Sequence, residues 1–175
     1  YGKIDVIWFD GGWERPGVKW KSRELETMIR ELQPGILIND RLPGCGDYDT
    51  PEQFVPALPP ARAWETCLTM NESWGYSPSD TDEKSSHELI HTICAVASRG
   101  GNLLLNVGPM GDGSLPPWQV ERLDAITRWM SRHGDAILDT TPGLEAWQFD
   151  GPTTRKGDRI FLHVLARPYE SVKVR

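Results

Sequence analysis

Short apolar strands alternate with amphipathic helices along most of this chain, and this alternation limits the folds that it can adopt. The predicted strands, which are short runs rich in apolar residues, lie within 4–13, 35–41, 63–70 and 102–109, and we expect the first and the last of them to be buried. The predicted helices, in which apolar residues recur at every third or fourth position, span 22–32, 85–98 and 116–134. Ser22 is the predicted N-cap of the first helix. Strands separated by helices form a parallel sheet, and polar strand ends at one edge favour an α/β fold of the (β/α) barrel type.

The chain changes character after Leu138. Proline, glycine and threonine become frequent from Asp139 onward, and the apolar run within 159–165 predicts a strand that no helix follows. We therefore expect a domain boundary near Asp139.

The composition is that of an ordinary globular protein with an excess of tryptophan. The 175 residues carry a formal charge of -6 without a basic run, so we expect neither a nucleic-acid partner nor an anionic membrane partner. No apolar stretch approaches the roughly 20 residues of a membrane span. The eight tryptophans supply flat apolar rings, which fill cores and also stack on sugars. Cys45, Cys67 and Cys94 are too scattered for a disulfide framework.

Asp10 lies where the first strand should end, in the segment 8–13 (WFDGGW). Packing explains a carboxylate there poorly, whereas α/β barrels carry their catalytic groups at the C-terminal ends of the strands. Flanked by Trp8 and Trp13, Asp10 is a candidate catalytic carboxylate in an aromatic pocket. The alternative, from these residues alone, is that Asp10 caps a turn or the next helix, as Asp before Gly often does.

Glycoside cleavage requires two carboxyl groups, and the chain offers several more at strand ends and in the long loop 42–60. They are Asp40, Asp47, Asp49, Glu52, Glu65 and Glu72. Arg41 could pair with a carboxylate or donate hydrogen bonds to a hydroxyl-rich ligand. Trp64 and Trp74 could present ring faces to a sugar, although a tryptophan more often belongs to a core.

Residues 87–91 (HELIH) match the H-E-x-x-H motif of helical zinc sites, so a zinc hydrolase using His87 and His91 is an alternative. Such a site needs a third ligand, and the only other histidines are His133 and His163. The barrel arrangement places both on elements away from this helix. We therefore expect no metal at this motif.

Together, these segments resemble the α-L-fucosidases of glycoside hydrolase family 29, and they occur in the family's order. The matching stretches are 6–13 (VIWFDGGW), 37–41 (LINDR), 49–53 (DTPEQ), 64–76 (WETCLTMNESWGY) and 100–113 (GGNLLLNVGPMGDG). They cover nearly the whole chain up to about Leu138.

The resemblance implies a retaining exo-glycosidase that removes terminal α-L-fucose from glycans through a covalent fucosyl–aspartate intermediate. Asp10 matches the family's nucleophile, in agreement with its predicted position at a strand end. Glu52 is the best match to the general acid/base, which needs a raised pKa to hold its proton near neutral pH, and Glu65 is the alternative. The resemblance also implies substrate-binding roles for Trp8, Arg41, Trp64, Glu65 and Trp74.

The family's fold is a (β/α)8-like (TIM) barrel followed by a β-sandwich. Residues 1–138 then correspond to the second half of the barrel, and 139–175 to a linker and the first strand or strands of the sandwich. Because the first half of the barrel and its fucose-binding histidines have no counterpart here, we expect a fragment that is unstable and inactive by itself.

The resemblance implies no cofactor and no metal, and a fucosylated glycan as the partner. Whether the parent enzyme forms a homo-oligomer stays open, as does the choice between secreted, periplasmic and lysosomal locations. A non-catalytic fucose-binding module is the alternative from another class of protein, and the intact Asp10 argues against it.

Overall fold

The computed structural model describes residues 2–15 and 19–175. The chain divides into two units. Unit 1 comprises Tyr1–Pro51 and Pro60–Glu65, and unit 2 comprises Glu52–Pro59 and Thr66–Arg175. Within the described residues, no helix has the length and apolar character needed to cross a membrane.

Unit 1 contains the β-α-β arrangement that the sequence predicts. Strand β1 (Val6–Ile7) pairs in parallel with β2 (Leu37–Ile38), and helix α1 (Ser22–Leu32) connects them. Apolar side chains from the helix, β2 and the segments beside it form the core of this unit, namely Ile29, Ile36, Ile38 and Leu42. The carboxyl ends of β1 and β2 therefore lie at the same edge of the sheet.

Two expectations about unit 1 are wrong. The N-cap of α1 is Lys21, which has a left-handed backbone (φ 50°) and gives no side-chain capping bond, so Ser22 is the first helical residue instead. The strands are also less buried than predicted, since Val6 is 46% exposed and Leu37 is 49% exposed. Val6 and Leu37 are register partners, and both are about half exposed, whereas Ile38 of β2 is fully buried.

The loop after β2 is irregular, but backbone pairing orders it. Within unit 1, Asn39 forms a parallel bridge with Tyr48, and Asp49 forms another with Trp64. The segment 48–49 therefore lies beside its neighbours as a strand would, although it is too short to be one.

Unit 2 combines two long helices with short strands. Strand β3 (Glu65–Thr69), of which 66–69 belong to this unit, pairs with β4 (Asn102–Asn106). Helix α2 (Ser86–Ser98) packs against α3 (Pro117–His133) and against β4. The helix bounds agree with the sequence prediction, but the burial predicted for β4 is wrong, because Leu104 is 44% exposed.

A three-stranded antiparallel sheet follows α3 and a short 3-10 turn. Its order is β5 (Thr141–Pro142), β6 (Thr153–Lys156) and β7 (Arg159–Leu162). Only β7 was predicted from the sequence. The sheet belongs to the same unit as α2, which packs against β5 and β6. The domain boundary near Asp139 and the barrel origin of the earlier elements stay predictions.

Candidate active site

Asp10 lies shortly beyond the end of β1, as the sequence predicts. Its side chain is 63% exposed, and its Oδ1 accepts a hydrogen bond from Nη1 of Arg41 at 2.9 Å. Arg41 follows β2, the parallel neighbour of β1. The strand-end geometry thus gives an accessible carboxylate with one oxygen held by a cation.

The Arg41 side chain is buried although it is charged, with 8% of it exposed. Its guanidinium carbon lies 4.4 Å from the ring centroid of Trp8 and 5.1 Å from that of Trp13. Aromatic faces attract a cation, and the attraction reaches about 2 kcal/mol where water is excluded. These rings therefore offset part of the desolvation cost of the buried charge. The two tryptophans predicted to flank Asp10 contact the arginine that holds it.

Thr50 contacts the other end of the guanidinium, and Asp40 contacts Thr50. The Thr50 hydroxyl donates to Oδ1 of Asp40 at 2.5 Å and accepts from Nε of Arg41 at 3.0 Å. The Thr50 carbonyl oxygen accepts from Nη2 of the same arginine at 3.4 Å. Thr50 is itself buried, with 8% of its surface exposed. Arg41 is thus fixed by polar contacts with Asp10 at Nη1 and with Thr50 at Nε and Nη2.

Asn39 holds the backbone directly before Asp10. Its side chain is completely buried, its Oδ1 accepts from the Phe9 N–H at 2.8 Å, and its Nδ2 donates to the Phe9 carbonyl at 2.8 Å. Sequence reasoning assigns no role to Asn39 or Thr50, although both lie in the motifs 37–41 and 49–53. A polar residue directly after an apolar strand was the available signal for Asn39.

A different structural reason explains why each of the two residues after Asp10 is glycine. Gly11 has a positive φ of 74°, which residues other than glycine rarely adopt. A Cβ atom at Gly12 would lie 2.8 Å from the Arg41 carbonyl oxygen and 3.1 Å from the Pro43 ring. The loop that follows Asp10 therefore approaches the segment after β2 too closely for any larger residue.

Two other predicted carboxylates have structural partners in unit 1. Asp47 accepts the Ile38 N–H on Oδ2 at 2.8 Å and pairs with Arg30 through Oδ1 at 2.8 Å. Asp49 pairs with Arg62 at 2.5 Å. These contacts tie the loop to the neighbouring elements, so they account for both carboxylates without a catalytic role.

Glu65 and Trp64 lie at the start of β3, in unit 1. The Glu65 N–H donates to the Asp49 carbonyl at 2.9 Å. Burial, followed by the negative charge of Glu65, raises the pKa of Tyr48 to about 12. Trp64 is 2% exposed, so contact between its ring and a sugar would require the side chain to move. The roles predicted for Glu65 and Trp64 stay predictions.

The remaining predicted site residues, Glu52 and Trp74, lie in unit 2. Glu52 forms a parallel bridge with Cys67 of β3, and the Gln53 N–H donates to the Cys67 carbonyl at 2.9 Å. The backbone that carries Glu52 is therefore fixed to β3. Trp74 is 42% exposed, and its carbonyl oxygen accepts from Nδ2 of Asn106 at 2.7 Å. The roles predicted for Glu52 and Trp74 stay predictions.

The H-E-x-x-H motif has a structural explanation in α2. Ser85 is the N-cap, and its hydroxyl accepts the Glu88 N–H, while Oε2 of Glu88 accepts the Ser85 N–H at 2.8 Å. This reciprocal pair is a capping box. Glu88 therefore has a role in starting the helix, and its hydrogen bonds with Ser85 lower its pKa.

The histidines are closer together than the barrel arrangement predicts. A cavity of about 560 Å³ in unit 2 is lined by residues of α2, α3 and the β7 region, among them His87, His91, His133 and His163. The expectation that His133 and His163 lie away from α2 is therefore wrong. Within 2–15 and 19–175, however, no three or more His, Cys, Asp or Glu side chains are grouped so that they could hold a metal ion.

An accessible carboxylate at the end of a parallel strand, beside aromatic rings, is the arrangement of an α/β enzyme site. Comparison with known proteins then gives the family. The model of the alpha-L-fucosidase family matches residues 1–135. The chain belongs to the α-L-fucosidase family.

Individual relatives support this membership. Human tissue alpha-L-fucosidase is 34% identical over 187 aligned residues, which include 97% of this chain and 40% of the human protein. The amphioxus Branchiostoma floridae has an alpha-L-fucosidase that is 31% identical, with 94% and 40% covered. The chain therefore spans about 40% of the length of these relatives.

Solved structures agree with the described fold. Alpha-L-fucosidase isoenzyme 1 from Paenibacillus thiaminolyticus is 36% identical and superimposes with a TM-score of 0.90, covering 97% of this chain and 44% of its own. A GH29 alpha-L-fucosidase from Bacteroides thetaiotaomicron is 30% identical, with a TM-score of 0.82, over 95% of this chain and 44% of its own. The latter structure is a trapped covalent intermediate in complex with 2-fluoro-fucosyl fluoride.

Proposed function

We propose that this chain belongs to an enzyme that hydrolyses terminal α-L-fucose from glycans with retention of configuration, and that Asp10 is its nucleophile. The observation that carries the proposal is the accessible Asp10 carboxylate at a strand end, held by Arg41 in a chain of the α-L-fucosidase family. The covalent intermediate trapped in the Bacteroides relative supports a nucleophilic mechanism.

In this mechanism Asp10 attacks the anomeric carbon and forms an ester with the fucosyl group as the glycosidic bond breaks. Glu52 is proposed as the acid that protonates the leaving oxygen and then, as a base, takes a proton from the water that hydrolyses the ester. Glu65 is the alternative for this role. Trp8, Arg41, Glu65, Trp64 and Trp74 are proposed to contact the sugar.

The same family resemblance supports a finer description of the fold. We infer that residues 1–138 are the second half of a (β/α)8-like barrel and that 139–175 begin a β-sandwich. The parallel β1–β2 pair supports the first part, and the antiparallel sheet β5–β6–β7 supports the second.

The function is tested by hydrolysis of an aryl α-L-fucoside by the full-length gene product. The variant Asp10→Gly should lose at least about 1,000-fold in activity, and azide should restore turnover with β-fucosyl azide as the product, because azide attacks from the side that the carboxylate vacates. Asp139→Gly is the matched control, since Asp139 is 92% exposed and its positive φ of 57° suits glycine.

Several outcomes would contradict parts of the proposal. An Asp10→Gly enzyme that hydrolyses normally would exclude Asp10 as the nucleophile. A wild-type protein that binds fucose without cleaving it would favour the binding module. Comparing Glu52→Gln with Glu65→Gln decides the acid/base role. The variant that lacks the acid should still react with substrates whose leaving group needs no proton, and with added azide it should yield α-fucosyl azide.

A further inference from the structure

We propose that Thr50 and Asp40 are positioning residues, which set the orientation of Arg41 and, through it, the orientation of the Asp10 carboxylate. This role rests on the proposed function, in which Asp10 is the nucleophile. It assigns to Thr50 a contribution to the rate of the reaction, although Thr50 is buried and touches Asp10 only through Arg41.

The direction of each hydrogen bond in the chain of contacts is determined by chemistry. A guanidinium only donates, so the Thr50 oxygen must accept from Nε of Arg41. An ionised carboxylate only accepts, so the single hydroxyl hydrogen of Thr50 must point to Asp40. The negative charge of Asp40 therefore keeps the lone pairs of the Thr50 oxygen directed at Arg41.

This arrangement leaves Arg41 little freedom. Contacts with Thr50 fix its Nε side, and the rings of Trp8 and Trp13 lie within cation–π distance of the guanidinium. Nη1 then has a defined position from which it donates to Oδ1 of Asp10. If the hydroxyl of Thr50 were removed, a buried N–H would lose its acceptor, and the guanidinium would reorient to find another.

The consequence for the reaction concerns which oxygen of Asp10 attacks. With Oδ1 engaged by Arg41, Oδ2 is the oxygen that forms the bond to the anomeric carbon while the bond from that carbon to the leaving group breaks. The leaving group departs with the bonding electrons. A small rotation of the carboxylate moves Oδ2 off the line of attack, and misplacement of about 1 Å costs on the order of 100-fold in rate.

The test measures the first chemical step by itself, with 2-fluoro-fucosyl fluoride as the probe and the full-length gene product as the enzyme. Asp10 displaces fluoride, which leaves without a proton from the acid/base residue, so the labelling rate reports on the nucleophile alone. Intact mass gives the fraction of chains labelled, and peptide mass gives the labelled residue. Inhibition by L-fucose reports ground-state binding separately.

We expect Thr50→Val, which keeps the shape and removes the hydroxyl, to reach the same final labelling as wild type at a rate about 10- to 100-fold lower. The inhibition constant of L-fucose should change by a smaller factor than the labelling rate, because Arg41, which is also proposed to contact the sugar, is reoriented but not removed. Thr50→Ser, which restores the hydroxyl, should label within about threefold of wild type. Thr27→Val is the matched control, because the Thr27 hydroxyl bonds to a carbonyl within α1.

A wild-type labelling rate in Thr50→Val would overturn the inference, as would a slow rate shared by Thr50→Ser. A lower final labelling at an unchanged rate would also overturn it, since it indicates a role in folding alone. If Thr50→Val does not fold, Thr50→Ala gives the same comparison with a smaller side chain. Failure of the proposed function has a different result: wild type would then remain unlabelled or carry the label on a residue other than Asp10.

Discussion

A fully buried amide side chain fixes the backbone on which Asp10 depends. Asn39 offers one acceptor and one donor to the two backbone groups of Phe9, at 2.8 Å each. These two bonds imitate the pairing that a neighbouring strand would provide, beyond the point where β1 and β2 separate. The position of Asp10 thus depends on the side chain of Asn39, directly after β2, as well as on strand β1.

We expect Asn39→Asp to destabilise the protein by about 3 kcal/mol at neutral pH, because the new carboxylate would lack the donor and face the Phe9 carbonyl oxygen while buried. Urea-induced unfolding of the full-length gene product measures the loss. Asn102→Asp, at the exposed first residue of β4, is the matched control and should change stability by less than about 0.5 kcal/mol. Equal losses in the two variants would show that the Phe9 contacts contribute little.

Sequence pattern and chemistry predict Asp10 and Arg41 as candidate site residues because each follows an apolar strand, where packing does not explain a charge. They do not identify Thr50, because its role depends on a contact with Arg41 across the loop, and the spacing along the chain does not encode that contact. Asp47 and Asp49 show the converse. Both lie in the loop beside the candidate site, but ion pairs with Arg30 and Arg62 account for them.

At the scale of elements, the start of α2 shows how one glutamate can satisfy a catalytic motif and a structural one. Ser85 and Glu88 form the capping box, which satisfies backbone N–H groups that the first turn leaves without partners. The same glutamate supplies the E of the sequence HELIH. The helix-start signal S-x-x-E was present in the sequence and explains the position of Glu88 without a metal.

We expect Ser85→Ala to lower the free energy of unfolding by about 1 kcal/mol, since it removes the N-cap acceptor. Ser86→Ala, at the first helical residue, is the matched control and should stay within about 0.5 kcal/mol of wild type. Glu88→Gln keeps a hydrogen-bonding side chain at the cap and should leave fucoside hydrolysis unchanged. A large loss of hydrolysis in Glu88→Gln would return the zinc alternative to consideration.

Helix bounds were more predictable than strand burial, and the reason is local. Helix α3 begins at Pro117, and proline favours the first helical positions because its fixed φ suits a helix and its missing N–H has no partner to lose there. The burial of a strand depends on which neighbours cover it. Val6 and Leu104 belong to apolar runs that predict burial, yet each lies in a two-stranded sheet and remains about half exposed.

At the scale of the whole molecule, the distribution of histidines is uneven. All four histidines of the sequence line one cavity of unit 2, together with Cys94. Burial and then the charge of His87, whose ring centroid lies 3.8 Å away, lower the pKa of His91. Burial also lowers the pKa of His163, whose Nε2 lies 3.0 Å from Oγ1 of Thr154. The folded protein therefore favours neutral forms of His91 and His163.

These lowered pKa values give the dependence of stability on pH a definite sign. An unfolded histidine binds a proton near pH 6.5, so below that pH the unfolded chain holds more protons than the folded one. The contribution of these histidines to stability is therefore fully present above about pH 6.5 and is lost as the pH falls toward their folded-state pKa values. Urea-induced unfolding between about pH 5.5 and pH 7.5 measures this slope above the range in which most carboxylates titrate.

His163→Gln, which keeps an N–H donor for Thr154 but does not titrate, should reduce the loss of stability between about pH 7 and pH 5.5. His133→Gln, at an exposed position that lines the same cavity, is the matched control for the substitution itself. Comparing slopes removes any constant cost of either substitution. If both variants lose stability with pH as steeply as wild type, the burial of His163 does not couple folding to protonation, and His91 becomes the residue to test.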